Sequence, residues 1–530
     1  MFSSPSELPL RPLTEAQEGL WYAQRLDPLN PIFNTGHCTH IHSALDTALF
    51  AQAINLTLTE ADALTLRMVD TPDGPAQYLR PQEPIRLEIV DLSAHPDGAE
   101  QAQTQLMADL RTPLDPTIAP LARHILFVLG PKHHLWYQRI HHLAADGYGM
   151  ALIETRVVKL YKALLNGHED HGHELESFAL LQDDDQSYRE SERRSKDRQF
   201  WLNTLSDAEP AQSLSESQAL SDHHFLLARR AVKPELTASL QALAQSSDIS
   251  WPDILTGLTA AYVRRHTRQD ECTVGVPWMG RLGHISARIV STVMNVAPLR
   301  LQIDESQPLN QYLVQVSKAL RQARRHGRYR SEQLRRDLGL LGGMRRLHGP
   351  IINVLPFDAP YEQAGLTASQ TVLCAGPVED LNFTFRAQPD ASGLRLEVEA
   401  NPRLYTQEQI QTHLTRLEQF LLRALQADTL STVPTLTDAE HHHWIETVNQ
   451  TAHPVPETTL WALIHAQLQA HPEQSGLEFE GKKLSYAQID EQTANLAAQL
   501  RLAGVQTGDI VAVALPRSLR TVASCPGPAT

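Results

Sequence analysis

Cysteine is scarce in this chain: Cys38, Cys272, Cys374 and Cys525 are the four among 530 residues. They stand too far apart for a zinc site or a disulfide framework, and a reducing cytoplasm is the expected setting. Long apolar runs are missing too, so no membrane span is expected. Met1 to Arg11 show no basic patch followed by an apolar core, the pattern of a secretory signal. Basic charge is in deficit, with 46 Lys and Arg against 61 Asp and Glu and a net charge of -15. That excludes a general nucleic-acid binder, which needs a basic footprint. What is present, 42% hydrophobic and 20% charged residues, is ordinary globular composition, in a chain too long for a single core.

The most informative run is His141-His142-Leu143-Ala144-Ala145-Asp146-Gly147. The residues before it read as a hairpin, 122 to 129 and 133 to 140, turning at Gly130-Pro131-Lys132. Those after it, 148 to 165, read as a helix with Ile153, Val157, Leu160 and Leu164 on one stripe. A neutral imidazole at such a strand-to-helix corner can take up a proton and return it, as acyl transfer requires. Asp146 either orients the ring or pairs with a distant arginine. Gly147 is expected to admit a close backbone approach and to start the helix. The helix amides could face a developing oxyanion. A hydrogen-bonded corner without a catalytic task and a His/Asp metal pair are the competing readings. On the strand 133 to 140, Trp136 and Tyr137 point to opposite faces, one to the core and one towards a tunnel.

Elsewhere the pattern alternates strands and helices, so the fold class is α/β, or α+β. A helix starts at Thr14. The polar, acidic stretch from Gly167 to Gln186 reads as a surface connection. Residues 309 to 338 read as one long Arg-rich helical stretch, and 318 to 346 hold nine arginines, more consistent with a solvated helix face than with a carrier or phosphate contact. Strands are expected at 272 to 277, 351 to 357, 380 to 387 and 393 to 399. Proline and threonine cluster around 432 to 435 and 454 to 459, which is linker chemistry. Beyond them come a helix at 459 to 470, a strand pair at 476 to 485, a helix at 486 to 503 and a strand at 510 to 515. His441-His442-His443 reads as a polar run rather than a metal site.

HHxxxDG resembles the signature of the condensation domains of nonribosomal peptide synthetases, within the chloramphenicol-acetyltransferase-like acyltransferases. TEAQEGLW (14 to 21), LTLRMV (64 to 69), FALLQDDDQSY (178 to 188), IVSTVMNVAPLRL (289 to 301), RHGRYRSEQL (325 to 334) and HGPIINVLPFD (348 to 358) resemble further motifs of that family, in order. AQEGLW, YQRIHHLAADGYG and AGPVEDLNFTF are most similar to the terminal module of enterobactin-type siderophore synthetases. Gly19 stands where many members have arginine, and Gly149 where serine is common.

The resemblance implies two acetyltransferase-like lobes in a V, at 1–180 and 181–430, then a linker at 431–458. It makes His142 the catalytic histidine, with His141 supporting it and Gly147 completing the motif. Asp146 pairs with an arginine downstream, for which Arg281 is the candidate, and Asn295 and Asn353 are tunnel candidates. The implied activity joins a donor acyl thioester to an aminoacyl acceptor as an amide. Both ride on phosphopantetheine arms of donor and acceptor carrier proteins, aryl or peptidyl, and no cofactor is bound by this chain. Residues 446 to 518 resemble the start of an adenylation (AMP-binding) domain, so 459–530 is expected to be a truncated fragment without adenylation activity. LRTVASCPGPAT reads as frameshift or truncation sequence. The alternative is a catalytically idle synthetase fragment that only docks carriers.

Overall fold

A computed structural model describes residues 9–168, 172–267, 269–340, 345–355, 361–387 and 393–524. The chain divides into two compact units, Met1–Asp438 and Ala439–Thr530. In the first, the helix Glu15–Leu26 begins at Thr14, where the Thr14 and Gln17 side chains cap each other's backbone N–H groups. The strands Ala122–Gly130 and His133–His141 form the expected antiparallel hairpin. Together with Leu87–Asp91, Asn34–Ile41 and Ala368–Cys374 they make a five-stranded sheet with the order Ala368–Cys374, Asn34–Ile41, His133–His141, Ala122–Gly130, Leu87–Asp91.

Both faces of this sheet are covered. On one side Trp136 packs with Leu126, Ile153 and Val157 and meets Phe50 edge-on at 5.7 Å. On the other, Ile125, Phe127, Leu135 and Tyr137 pack against Ala102 and Leu106 of the helix Gly98–Leu110. The expectation that Trp136 or Tyr137 faces a tunnel is therefore corrected: both are 0% exposed, and the Tyr137 hydroxyl donates to Asp109 Oδ2 at 2.9 Å.

The strand Ala368–Cys374 joins this first sheet by pairing with Asn34–Ile41. Just before it, Tyr361 and Thr39 hydroxyls lie 3.2 Å apart. A boundary at 180/181 therefore does not separate the lobes, because the open edge of the first sheet is closed by a strand from far downstream. The stretch 167–186 is also more than a connection. It contains the helix Phe178–Arg189, capped by Ser177, whose Phe178 and Leu181 are buried in the first core. Its acidic face is matched by arginines, among them Arg11 on Asp183 and Arg328 on Asp184.

The second sheet has six strands in the order Asn295–Gln302, Glu271–Trp278, Ile351–Leu355, Leu381–Ala387, Leu394–Ala400, Leu226–Ala231. One face packs on the helices Trp251–Thr267, Leu309–Arg325 and Gln407–Ala424 through Leu258, Val316, Phe383, Val398 and Phe420. The expected 309 to 338 helix is two helices, Leu309–Arg325 and Ser331–Asp337. The break at Gly327 brings the backbone against Trp278, whose ring lies 2.7 Å from where a Cβ would stand. The linker starts later than 431, because Leu430 and Val433 are buried in the second core and Arg423 donates to the Leu436 carbonyl at 2.7 Å. The strand expected at 351 to 357 covers Ile351–Leu355, and its last positions, like Cys525, lie outside the described residues.

The second unit holds the helices Leu460–Ala470 and Tyr486–Leu502 and the hairpin Ser475–Phe479 with Lys482–Ser485. Its turn places Glu480 and Gly481 at φ 50° and 77°, the left-handed values of a tight hairpin turn. No strand forms at 510 to 515, where Ile510 is 99% exposed. A strand needs a neighbour to satisfy its backbone, and none of the described residues supplies one.

Candidate functional site

The strand His133–His141 ends at the histidine pair, and Leu143, Ala144 and Ala145 fill the corner at 0% exposure. This buried apolar turn fixes both imidazoles. The Nδ1 of His141 accepts from the Leu143 N–H at 3.2 Å, which leaves its Nε2–H for Gln24 Oε1, also at 3.2 Å. Both ring nitrogens are thus occupied within the fold. Burial, with smaller contributions from His142 and Arg139, pushes the ring down to about 3. His141 is a neutral support.

His142 is held differently. Its backbone N–H donates to the Phe33 carbonyl at 2.8 Å, and its carbonyl accepts from the Thr292 hydroxyl. Its ring reaches out of the corner, with Nε2 at 3.1 Å from the Ala375 carbonyl. A Cβ on Gly376, where φ is 113°, would stand 2.8 Å from Nε2. Burial lowers the His142 pKa, opposed by the carbonyls of Ala375 and Ala145 and by the Asp146 carboxylate. The ring is a neutral imidazole in contact with a loop that leaves the crossover strand.

Asp146 does not orient either ring by direct contact. Its Oδ1 and Oδ2 lie 2.9 and 3.1 Å from the Arg281 guanidinium. It also accepts from the N–H groups of Gly149, Val293 and Met294, each at 2.9 Å. Burial alone would raise this carboxyl, but Arg281 and the three amides outweigh it and hold it below the ordinary aspartate value. Arg281 in turn donates to the carbonyls of Ser286, Ile289 and Ser291 at 2.6, 2.9 and 2.7 Å and lies over the Tyr148 ring at 4.8 Å. The corner of the first sheet is thereby bonded to the segment 281–294, which leads into the second sheet.

Three expectations change. Gly147 starts the helix Gly147–Leu165, but nothing lies within 4 Å of where its Cβ would be. The close approach is at Gly149, whose Cβ would stand 3.1 Å from both Ala145 Cβ and the Ser291 carbonyl. A serine here would press on the Ser291 backbone and the Ala145 methyl. Asn295 faces no tunnel: its Nδ2 donates to the carbonyls of Gly327 and Tyr329 at 2.8 Å, and its Oδ1 accepts from Ser331. It clamps the break between two helices. Asn353 is half-buried on Ile351–Leu355, opposite Thr384.

Sequence reasoning missed Gln24, Phe33, Thr292, Ala375 and Gly376. Gln24 had a signal, since it lies two helical turns from Gln17, whose Nε2 donates to the Leu143 carbonyl at 2.9 Å. The Ala375–Gly376 contact had none, because it depends on the crossover strand.

The fold and the site define a protein whose five-stranded and six-stranded sheets are joined where a buried neutral histidine at a strand end meets a loop of the downstream half. The condensation domain model matches residues 10–443, and the chain belongs to the condensation domain family. Residues 464–528 match the AMP-binding enzyme family. The chain is 37% identical over 517 residues to a dimodular nonribosomal peptide synthase of Bacillus subtilis (strain 168), covering 97% of this chain and 22% of that protein. It is 31% identical to enterobactin synthase component F of Escherichia coli (strain K12), covering 96% and 40%. The chain thus spans well under half the length of these curated relatives. Among solved structures, the first condensation domain of the calcium-dependent antibiotic synthetase matches with TM-score 0.72 and 29% identity, covering 81% of this chain and 99% of that one. The starter condensation domain of rhizomide synthetase matches with TM-score 0.69 and 29% identity, covering 81% and 100%. No helix among the described residues is long and apolar enough to cross a membrane.

Three outcomes follow from this geometry. Arg281→Leu strands the Asp146 carboxylate and costs about 3–5 kcal/mol of stability, read from urea unfolding. Stability also falls as pH drops below about 6.5, where the unfolded histidines take up protons that buried His141 and His142 refuse. The urea midpoint measured between pH 8 and pH 5 shows this decline. The Asp146 contribution is present above about pH 4 and is lost at lower pH, as its depressed folded value is approached. Gly376→Ala strains a backbone held at φ 113° and presses on the His142 ring, so both the melting temperature and the rate of amide formation fall, the latter at least tenfold.

Proposed function

We propose that this chain is a condensation-type acyltransferase forming an amide between a donor acyl thioester and an aminoacyl acceptor, each on a separate carrier protein. The observation that carries the reading is the difference between the two histidines. His141 is consumed by the fold, while His142 presents a neutral ring at the junction of the two sheets. In the neutral ring Nε2–H donates to the Ala375 carbonyl, so the substrate must displace that bond and meet the other tautomer before the ring assists loss of the amine proton as the new C–N bond forms. The C–S bond then breaks, and the proton leaves with the donor arm's thiol. Asp146 fixes the corner and its charge favours the transient imidazolium. Arg281 neutralises Asp146 and holds it in place.

The phosphopantetheine arms of the donor and acceptor carriers supply both substrates, so the chain itself needs no bound cofactor. Similarity to enterobactin synthase component F supports a siderophore setting, with an aryl donor such as 2,3-dihydroxybenzoyl and an acceptor such as serine. A cytoplasmic location and the absence of adenylation by residues 459–530 belong to the same reading. An intact histidine corner and the family relatives favour this over an idle docking fragment.

Purified chain mixed with loaded donor and acceptor carriers is expected to yield amide product by intact-mass spectrometry. His142→Ala is expected to abolish it while keeping the wild-type melting temperature. Loaded carriers without product from the wild-type chain would refute the reading.

A further inference from the structure

The face of the second sheet turned away from its helices is polar. Side chains alternate across a strand, so while Phe383, Phe385, Leu396 and Val398 enter the core, Asn382, Thr384, Arg386, Glu397 and Glu399 share the opposite face. Strand register sets them in rows, Ile351 beside Asn382 beside Glu399, and Asn353 beside Thr384 beside Glu397.

The charges on this face do not pair off evenly. Glu397 takes both arginines, with Arg395 Nε at 2.7 Å and Arg386 at 3.5 Å. Glu399, only 8% exposed, forms no ion pair with a described residue, and Arg386, which sits on Glu397, reaches it only through space. Its Oε2 accepts from Asn382 at 3.1 Å. Its Oε1 takes no hydrogen bond from a described residue. Burying a carboxylate without an ion-pair partner is costly, and burial, opposed by the Asn382 hydrogen bond and by Arg386 but reinforced by Glu397, raises its pKa.

The place of Glu399 gives this a purpose. The loop that touches His142 at Ala375–Gly376 enters the second sheet at Leu381, one residue before Asn382. Glu399 is also within electrostatic reach of Cys374, the last residue of the crossover strand: burial pushes that thiol up to about 11, and Glu399 adds to the rise. The carboxylate thus lies on the polar face of the second sheet, within electrostatic reach of the crossover strand whose following loop touches His142.

We propose that Glu399, held by Asn382, binds the α-ammonium of the acceptor aminoacyl group. The inference rests on the condensation reading for the identity of its ligand. An α-amino group titrates near about 8, so at neutral pH the acceptor arrives largely as a cation. It is the one group of the two substrates that offers this carboxylate an ion-pair partner. The amine must lose that proton before it attacks, so Glu399 acts in binding and selection.

Two probes isolate the ammonium: glycyl-pantetheine and glycolyl-pantetheine amides, which differ only in bearing NH3+ or OH. Binding to the full chain is measured by calorimetry, for wild type and for the isosteric Glu399→Gln, with melting temperatures as a check on folding. The expected result is at least a tenfold loss of affinity for the glycyl probe in Glu399→Gln, with the glycolyl probe unmoved. Equal affinity of both proteins for the glycyl probe overturns the proposal. So does a parallel loss for both probes, which marks a packing role, or a wild-type chain that does not bind the glycyl probe. If Glu399→Gln does not fold, Asn382→Ala is used with the same two probes, and the same outcomes decide. Because binding needs no turnover, a wild-type chain that binds the glycyl probe but makes no amide with loaded carriers refutes the condensation reading and leaves the Glu399 assignment standing.

Discussion

One buried ion pair organises this molecule. Asp146 and Arg281 are 2% and 1% exposed, and such a pair is stable only when every remaining lone pair and N–H is matched. Here the carboxylate gathers three backbone amides and the guanidinium three backbone carbonyls. The bonds reach from the helix start after the histidine pair to the segment 281–294. The corner carrying His142 therefore cannot move independently of the segment that begins the second sheet's outer strand. The pair gives position rather than net stability, which is what a base at a junction requires.

A second tie crosses in the opposite direction. The strand Ala368–Cys374 leaves the downstream half of the chain, completes the first sheet and returns through Ala375–Gly376 to the second. On that return it touches His142. The imidazole is thus bounded on one side by its own corner and on the other by backbone more than two hundred residues away. Glycine at 376 is needed for both reasons available to it, a left-handed φ and a neighbour too close for a Cβ. The same return leads into Leu381–Ala387, whose Asn382 meets Glu399 of the neighbouring strand.

Much of the fold was legible locally. The Thr14 start, the 122–141 hairpin and the helix after Gly147 follow from capping chemistry, turn residues and apolar spacing. The errors share a cause. The 309–338 stretch keeps helical periodicity across its break, because the break is imposed by Trp278 and Asn295 from another strand. The acidic 167–186 run hides a helix, because two buried residues, Phe178 and Leu181, suffice to seat it once the first core exists. At 510 to 515 an apolar run reads as a strand, but strand pairing depends on a neighbour, not on the run itself.

From the sequence alone came the chemistry: a histidine pair at a strand-to-helix corner, an aspartate four residues on, and an α/β pattern too long for one core. Those are properties of residue type and short-range spacing, which local sterics and hydrogen bonding decide. Tertiary structure alone decided how each histidine is held, His141 through both ring nitrogens by Gln24 and the Leu143 amide, and His142 through Nε2 by the Ala375 carbonyl. It also decided that Gly149 rather than Gly147 makes the close contact, and that Asn295 is a clamp rather than a tunnel residue. Each of these depends on what the rest of the chain brings within about 3 Å of an atom, and pairing between distant segments leaves no mark in the local pattern.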